Sequence, residues 1–288
     1  MSNIISRYIS PSNNFIGMIQ NTLANNISLR NKIRQLFKHL PFLVLESDVR
    51  NILYANWIVP IQNIAHLVPN NCSLLQHNGY TILTILTYQH GHFGPSALGK
   101  ARHFFPSPLQ SNWRLYLEEV NHKPVTKPTV LFLNNTFNNP LYAVGTRLFS
   151  DVMNSHYGKP FQHIVTSSGN KERWISGVND NGSSPNWAIG GIKSHSQNLP
   201  KPFSTFFNSY ETALDKLCYQ DTAVRLVENL QTLSSADIDL PINIASAIPI
   251  DVTHYKPGAF LTSIGATELP FCFVIPSVKF KALSETII

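Results

Sequence analysis

The chain has 288 residues, of which 43% are hydrophobic and 13% are charged, and its formal net charge is +6. No stretch reaches the roughly 18 consecutive apolar residues that a transmembrane helix needs, and three widely spaced cysteines, Cys72, Cys218 and Cys272, exclude a disulfide framework. All five cations of the N-terminal segment precede the first acidic residue, Glu46, so the remainder is close to neutral, which argues against a broad nucleic-acid-binding face.

The N-terminal segment begins with residues 1–26, which are rich in Asn and Ser and predict a weakly structured arm. Residues 28–40, SLRNKIRQLFKHL, predict a helix that ends at Pro41. Its apolar face comprises Leu29, Ile33, Leu36, Phe37 and Leu40, and its basic face comprises Arg30, Arg34 and Lys38. The chain therefore divides into an arm with a basic amphipathic helix, residues 1–42, and a main domain, residues 43–288.

This basic helix has two interpretations. An amphipathic helix most often packs its apolar face on its own domain or on a second subunit. A basic one can also lie on an anionic membrane surface. We favour packing over the membrane.

From residue 43 onward, the pattern predicts short strands. DVRNILYANWIV is a candidate strand, and Pro60 starts a short helix that Pro69 closes. The Asn78-Gly79 pair between two apolar runs predicts a hairpin, because a type I′ turn needs two residues at positive φ. The later segments predict further strands, WRLYLEEV, TVLFL, FQHIVTSS, RWISGV, WAIGGI and FCFVIPSVKF, with helices at 141–154 and within 203–218. The expected class is α+β, dominated by antiparallel strands.

The order of these segments is specific enough to suggest a family. A strand, a proline-started helix and a closing LVP, DVRNILYANWIVPIQNIAHLVPNN, are followed by GYTILTILTYQHGHFG, QSNWRLYLEEV, a helix with GTRLF, and YGKPFQHI. Over residues 45 to 280 this series resembles the DUF2071 (YqjF-like) proteins, relatives of acetoacetate decarboxylase. The resemblance implies a strongly curved antiparallel sheet closing into a cone-like barrel with a pocket inside, and it makes homo-oligomers plausible.

The decarboxylases of this superfamily use a lysine that forms a Schiff base with a ketone. Their motif is a helix, an aromatic-Gly-x-Pro turn and then two lysines. Aligned on residues 157–160, Tyr-Gly-Lys-Pro, the two lysine positions fall on Phe161 and Gln162. The one nearby amine, Lys159, lies two residues early in a turn, where lysines normally reach water. We therefore do not expect decarboxylase activity through a Schiff base. Lys159 stays the candidate catalytic lysine if such activity exists.

Other candidate site residues follow from the same alignment and from strand alternation. A family glutamate falls near Gln110 and a family arginine near Trp57, which would leave the pocket less charged than that of the enzymes. Period 2 places Arg114, Tyr116 and Glu118 on one face of their strand, where they could hold an anionic or carbonyl ligand if that face lines the barrel.

Two more side chains, His163 and Tyr142, complete the candidate set. His163 lies two residues after Phe161 and could transfer protons; an inward structural histidine is the alternative. Tyr142 lies on the helix before the turn and could join an acid–base site.

A metal site is the weakest of the candidate constellations. His90 and His92 occur as HGH, with His103 and His122 as distant partners, but no acidic or cysteine ligand is near. We expect neither a metal nor a cofactor. The N-terminus lacks a charged region followed by an apolar run, and the free thiols suit a reducing compartment, so we expect a cytoplasmic protein.

Three hypotheses follow. The first is a domain that binds a small apolar or organic-acid ligand in the barrel without Schiff-base chemistry. The second is an enzyme acting on a small carbonyl compound by acid–base catalysis. The third is a membrane-surface or partner-docking protein that uses residues 27–40.

Overall fold

A computed structural model describes residues 7–168, 171–179 and 181–288, and of Lys171 only the backbone. Its strands are β1 Leu45–Pro60, β2 Cys72–Leu74, β3 Gln76–His77, β4 Tyr80–Gln89, β5 Gly94–Pro95, β6 Leu109–Val120, β7 Lys123–Phe137, β8 Ser155–Tyr157, β9 Phe161–Ser168, β10 Lys171–Val178, β11 Trp187–Lys193, β12 Thr222–Val227, β13 Thr232–Asp239, β14 Ile248–Pro257 and β15 Phe271–Ile287. The α-helices are α1 Phe15–Ala24, α2 Ile27–Phe37, α3 Ile61–Ile64, α4 Pro140–Phe149, α5 Tyr210–Cys218 and α6 Ala259–Ser263. Short 3₁₀ helices cover Ala65–Leu67, Ser96–Phe104, Lys201–Thr205 and Ile244–Ser246.

One sheet contains all fifteen strands, and its central part closes on itself. The path β1-β4-β6-β7-β12-β13-β15 returns to β1 through a β1–β15 pairing. The pairings along this ring are antiparallel except for the short parallel pair between β7 and β12. The prediction of an α+β fold with a strongly curved, mainly antiparallel sheet and peripheral helices is therefore confirmed.

A second arm of the sheet leaves the ring at β15. It runs through β14, β11 and β10 to β9, which is the last strand of that path. Strand β9 comes back against β4 and β6. This return brings the segment that follows the Tyr-Gly-Lys-Pro turn close to the ring.

The two faces of the ring carry different cores. The first, which we call the tryptophan core, holds all four tryptophans of the chain with the alternate apolar residues of β1, β4 and β6. The second, which we call the helix-side core, lies between the opposite faces of those strands and α5. Because side chains alternate between the two faces of a strand, neighbouring residues enter different cores. On β6, for example, Trp113, Leu115 and Leu117 lie in the tryptophan core, whereas Tyr116 lies in the helix-side core.

The predicted hairpin is present. Asn78 and Gly79 connect β3 and β4 with φ angles of 49° and 81°. Gly79 adopts the left-handed conformation at no cost to a side chain, since glycine has no Cβ. The sequence prediction for this turn is confirmed.

The N-terminal segment differs from the prediction in two ways. Residues 15–24, expected to be part of a weakly structured arm, form the helix α1, which Asn14 caps by accepting a hydrogen bond from Gly17 N at 3.0 Å. The orientation of α2 also differs from the one expected for an amphipathic helix, because two of its basic side chains contact the domain while only Leu29 and Ile33 of its apolar face are half-buried. Arg30 and Arg34 pair with Asp151 just after α4, while the apolar Leu36, Phe37 and Leu40 stay exposed.

Among the described residues, no helix has both the length and the apolar character needed to cross a lipid bilayer.

Candidate functional site

The Tyr-Gly-Lys-Pro turn lies where β8 gives way to β9. Gly158 fits tightly there, because a Cβ would lie 2.7 Å from Val178 Cγ1 and 2.8 Å from Thr136 Cγ2. Lys159 is exposed, and its carbonyl accepts a hydrogen bond from Asn181 Nδ2 at 3.2 Å. The turn is thus packed at its glycine and open to water at its lysine.

The two positions that the family resemblance aligned with lysines, Phe161 and Gln162, point in opposite directions. Phe161 is half-buried and packs against the tryptophan core, whereas Gln162 is exposed. This follows from the alternation of side chains along β9. The position that faces the core therefore holds a phenyl ring.

Phe161 belongs to a row of side chains that crosses three strands. It is directly paired with Val178 on β10, and Val178 is paired with Trp187 on β11. Paired residues share a face of the sheet, and strands are spaced about 4.8 Å apart. Trp187 therefore lies on the same face of the sheet as Phe161, two strands away, with Val178 between them.

The tryptophans contact one another at their edges. The ring of Trp187 lies 6.4 Å from the rings of both Trp57 and Trp113, centroid to centroid, in T-shaped arrangements. Trp174, on β10, is buried in the same core. Aromatic pairs of this geometry are favourable beyond their buried area.

Two of these indoles have their N–H satisfied and two do not. Trp57 Nε1 donates to the Glu268 carbonyl at 3.0 Å, and Trp113 Nε1 donates to Ser111 Oγ at 3.2 Å. Nε1 of Trp174 and Nε1 of Trp187 are buried without a hydrogen-bond partner among the described residues. Buried N–H groups in native proteins almost always have a partner, so these two are unusual.

A cluster of small polar side chains lies beside the turn. Asn134 Nδ2 donates to Thr136 Oγ1 at 3.0 Å, and Thr136 Oγ1 lies 2.7 Å from Ser184 Oγ. Asn134 is paired directly with Trp113 across β6 and β7, so the two share a face. Its Oδ1 is buried and has no partner in the described part of the chain.

His163 is held as a neutral ring. Its Nε2 donates to the Asn51 carbonyl at 2.7 Å, and its Nδ1 lies 3.3 Å from Ser176 Oγ. Burial lowers the pKa of His163 to about 4. With one nitrogen bonded to a backbone carbonyl and the ring uncharged near pH 7, His163 is placed as a structural group between β9 and the bulge at Asn51 in β1.

The structure places Arg114 and Tyr116 on the opposite face of β6, in the helix-side core, so it does not bring them together with Phe161 and His163. Arg114 donates to Gln220 Oε1 and to the Leu217 carbonyl, the latter at 2.6 Å. Its guanidinium also lies 5.5 Å from the ring centroid of Tyr116, whose hydroxyl donates to the same Leu217 carbonyl at 2.9 Å. Arg114 therefore fastens the end of α5 to the sheet.

The other candidates are dispersed. Glu118 is exposed at the surface. Gln110 is buried and accepts a hydrogen bond from His90 Nε2 at 2.7 Å. The Tyr142 hydroxyl donates to the Phe93 carbonyl at 2.6 Å, which ties α4 to the loop after β4.

The histidines that the sequence suggested as metal ligands do not come together in the structure. His90 is buried between Gln110 and Ser47, and burial lowers its pKa to about 4. His92 instead lies beside His103, with ring centroids 4.3 Å apart and the ring planes tilted. Among the described residues, no group of three or more His, Cys, Asp or Glu side chains is arranged to hold a metal ion.

Two solvent-open clefts lie away from the turn, along residues 123–129 of β7. One, of about 240 Å³, is lined by Tyr116, Lys127, Lys216 and Tyr219 among others. The other, of about 310 Å³, includes Lys123 and Asp237. Neither includes Phe161, Trp187 or His163.

Sequence reasoning did not identify Trp187, Trp174, Asn134 or Thr136 as site residues. Trp113 was assigned to the face opposite Arg114, and this signal could have directed attention to that face. The other four lie on β7, β10 and β11; β7 belongs to the ring, whereas β10 and β11 belong to the second arm of the sheet, which leaves the ring at β15. Only the register of β6 with β7 and of β9 with β10 and β11 brings them to one region.

Comparison with solved structures gives several matches of similar quality. The enduracididine biosynthesis enzyme MppR, bound to HEPES buffer, superimposes with a TM-score of 0.58 at 11% identity, over 86% of this chain and 88% of that one. An acetoacetate decarboxylase-like enzyme from Sphingomonas wittichii RW1 has a TM-score of 0.56 at 8% identity, over 86% and 94% of the two chains. The acetoacetate decarboxylase of Legionella pneumophila has a TM-score of 0.54 at 6% identity, over 84% and 86%.

These similarities show that the chain has the acetoacetate decarboxylase-like fold. No protein-family model matches the sequence, and no curated protein matches it either. The assignment to DUF2071 stays a prediction.

Proposed function

We propose that this protein binds a small, uncharged carbonyl compound in the tryptophan core beside the Tyr-Gly-Lys-Pro turn, without forming a Schiff base. The observation that carries the proposal is the pair of buried, unpartnered indole N–H groups of Trp174 and Trp187 in the core that Phe161 faces. An indole N–H donates only. A carbonyl oxygen is the acceptor that would satisfy it.

The remaining chemistry of this region favours a neutral ligand. Asn134 Oδ1 can accept a hydrogen bond from a hydroxyl or N–H group of the ligand. The nearest candidate base, His163, is uncharged near pH 7, and the buried cation Arg114 lies on the other face. A charged ligand would lose its hydration without gaining an opposite charge.

The absence of imine chemistry rests on the lysine positions. A Schiff base needs a neutral amine next to the carbonyl carbon, and such amines are made by burial or by an adjacent cation. Phe161 has no amine, Gln162 points to water, and Lys159 is exposed. Among similar structures, MppR has been determined in complex with pyruvate, which supports a carbonyl compound as the ligand class here.

The acid–base alternative has less support. It required Arg114, Glu118, His163 and Tyr142 to converge within hydrogen-bond reach. The hydrogen-bond partners of these side chains lie in different regions, and Glu118 is exposed.

Tryptophan fluorescence tests the binding proposal directly, because all four tryptophans lie in the tryptophan core. We expect a saturable change in emission with hydroxyacetone, which is neutral and has a carbonyl and a hydroxyl group, and a weaker response to pyruvate. Trp187→Phe should weaken hydroxyacetone binding about tenfold, the equivalent of one buried hydrogen bond.

Trp57→Phe is the matched control, because the Trp57 indole N–H already has the Glu268 carbonyl as its partner. Equal loss of affinity in both variants, or no saturable signal in the parent, would contradict the proposal. Treatment with borohydride in the presence of hydroxyacetone or acetoacetate should leave the protein mass unchanged. A covalent adduct on Lys159 would show instead that this lysine is reactive.

A further inference from the structure

The polarity of α1 is the inverse of that of an ordinary surface helix. Its buried residues are Gly17, Gln20 and Ala24, two of them small and one polar. Its large apolar side chains point outward, with Phe15 74% and Met18 67% exposed. A surface helix in water normally turns such residues toward the core.

Hydrogen bonds hold α1 in this orientation. Gln20 Oε1 accepts from Ser10 Oγ at 2.8 Å, and Asn21 Oδ1 accepts from Ser10 N at 2.7 Å. Asn25 Oδ1 accepts from Tyr8 N at 2.9 Å and its Nδ2 donates to the Tyr8 carbonyl at 2.8 Å. The polar side of the helix is thus bonded to the preceding segment, and rotation of the apolar side toward the domain would break these bonds.

The exposed apolar surface continues onto the neighbouring helices. Both α1 and α2 pack against α4, and the rings of Phe37 and Phe149 meet edge to face with centroids 5.7 Å apart. Leu141, at the start of α4, is 78% exposed. We call this surface the N-terminal apolar face; its main members are Phe15, Ile16, Met18, Leu36, Leu141 and Phe149. Large exposed apolar side chains on neighbouring, packed helices are typical of an interaction site.

The charged residues that the N-terminal segment itself supplies are all basic. The sequence has no charged residue from 8 to 29 and no acidic residue before Glu46. Arg30 and Arg34 are occupied by Asp151, but Lys32 and Lys38 are exposed and form no ion pair in the described part of the chain. An apolar surface with two exposed lysines, Lys32 and Lys38, at its border matches the two components of a membrane that contains acidic lipids.

We propose that the N-terminal apolar face docks on the surface of an anionic phospholipid membrane. The helices lie in the plane of the headgroups, with Phe15, Met18 and Leu141 in the acyl boundary and Lys32 and Lys38 among the lipid phosphates. A second copy of this chain fits less well, because two such faces would bring the exposed Lys32 and Lys38 of both copies together, whereas the neighbouring Asp151 is already paired with Arg30 and Arg34.

The test is co-sedimentation of the full-length protein with vesicles of phosphatidylcholine mixed with phosphatidylserine. We expect binding that falls about tenfold or more in Phe15→Gln and in Met18→Gln, since each removes a large apolar side chain that the membrane-bound state would bury in lipid. Leu269→Gln is the matched control, because Leu269 is 62% exposed and precedes β15, at the opposite end of β1 from the N-terminal helices. Equal binding of all four proteins would overturn the proposal.

The contribution of the lysines to membrane binding is tested with separate variants. Lys32→Glu and Lys38→Glu should each weaken binding to the mixed vesicles, and binding should fall as salt is added. Lys127→Glu changes an exposed lysine on β7 by the same amount and should have no effect. Vesicles of phosphatidylcholine alone should bind the parent protein more weakly.

Analytical ultracentrifugation distinguishes the second-copy alternative. If the parent is an oligomer that Phe15→Gln and Met18→Gln convert to monomers, and neither form binds vesicles, the face is an interface between copies and the membrane proposal is wrong. Loss of vesicle binding in these variants with an unchanged oligomeric state supports the proposal.

Discussion

At the scale of single residues, His90 and His163 share a physical state although they lie in different regions. Each is held between a hydroxyl group and an oxygen acceptor, and burial lowers the pKa of each to about 4. In the unfolded chain an imidazole titrates near about 6.5. Between about pH 4 and about pH 6.5, the unfolded state therefore binds more protons than the folded state.

The free energy of unfolding should consequently be insensitive to these histidines above about pH 6.5 and should fall as the pH is lowered toward about 4. Each histidine would contribute roughly 3 kcal/mol over that window. Urea unfolding at several pH values checks this, with His163→Gln expected to show a shallower decline. His66→Gln, at an exposed site, should keep the parent's pH dependence; an equally shallow decline there would contradict the assignment.

At the scale of elements, α2 is attached to the domain by its charged side chains. The Asp151 carboxylate accepts two hydrogen bonds from Arg34, at 2.6 and 2.8 Å, and forms an ion pair with Arg30 at 2.9 Å. The Asp151 side chain is only 11% exposed. Charge-assisted bonds of this kind are about twice as strong as neutral ones. This one carboxylate therefore fixes which side of α2 faces the domain.

Asp151→Asn should release α2 without unfolding the sheet. We expect a loss of about 2 kcal/mol in the free energy that holds the helix, since two cations lose their partner. Hydrogen exchange measures this as faster exchange of amides 30–37 with unchanged exchange in β1 and β4. Asp215→Asn, an exposed carboxylate on α5, is the control, and similar protection of α2 in both variants would count against the role of Asp151.

At the scale of the whole molecule, a chain with the acetoacetate decarboxylase-like fold has no lysine at Phe161 or Gln162, the two positions that follow the Tyr-Gly-Lys-Pro turn. The curved sheet, the Tyr-Gly-Lys-Pro turn and the return of β9 toward β4 and β6 are all present. What differs is the side chain that the scaffold presents to the tryptophan core, a phenyl group at Phe161.

This difference predicts that Phe161→Lys restores a reactive amine and that Gln162→Lys does not. An amine at 161 is desolvated and its pKa falls, whereas one at 162 reaches water and stays protonated. Borohydride trapping with hydroxyacetone, read by mass spectrometry, should label the first variant much faster than the second. Equal labelling of the two would show that β9 does not face the core as described; circular dichroism confirms that both variants are folded.

The sequence by itself determined the features that depend on local chemistry. The Asn78-Gly79 hairpin, the strand patterns of β1, β6 and β9, the α+β class and the lack of lysines at Phe161 and Gln162 were all available from the order of residues, because turns and period-2 patterns are local properties. The same pattern showed that Arg114 and Trp113 occupy opposite faces of one strand.

Only the tertiary structure decided which face meets which core. The alternation of side chains shows which residues of a strand share a face, but not whether that face points toward a given core. The assignment of Arg114 to the helix-side core therefore needed the position of α5. The orientations of α1 and α2 likewise depended on partners far along the chain or outside the predicted helix, such as Asp151 and Ser10. The region around Trp187 exists only because the pairing of β9 with β10 and of β10 with β11 places Phe161, Val178 and Trp187 in one row.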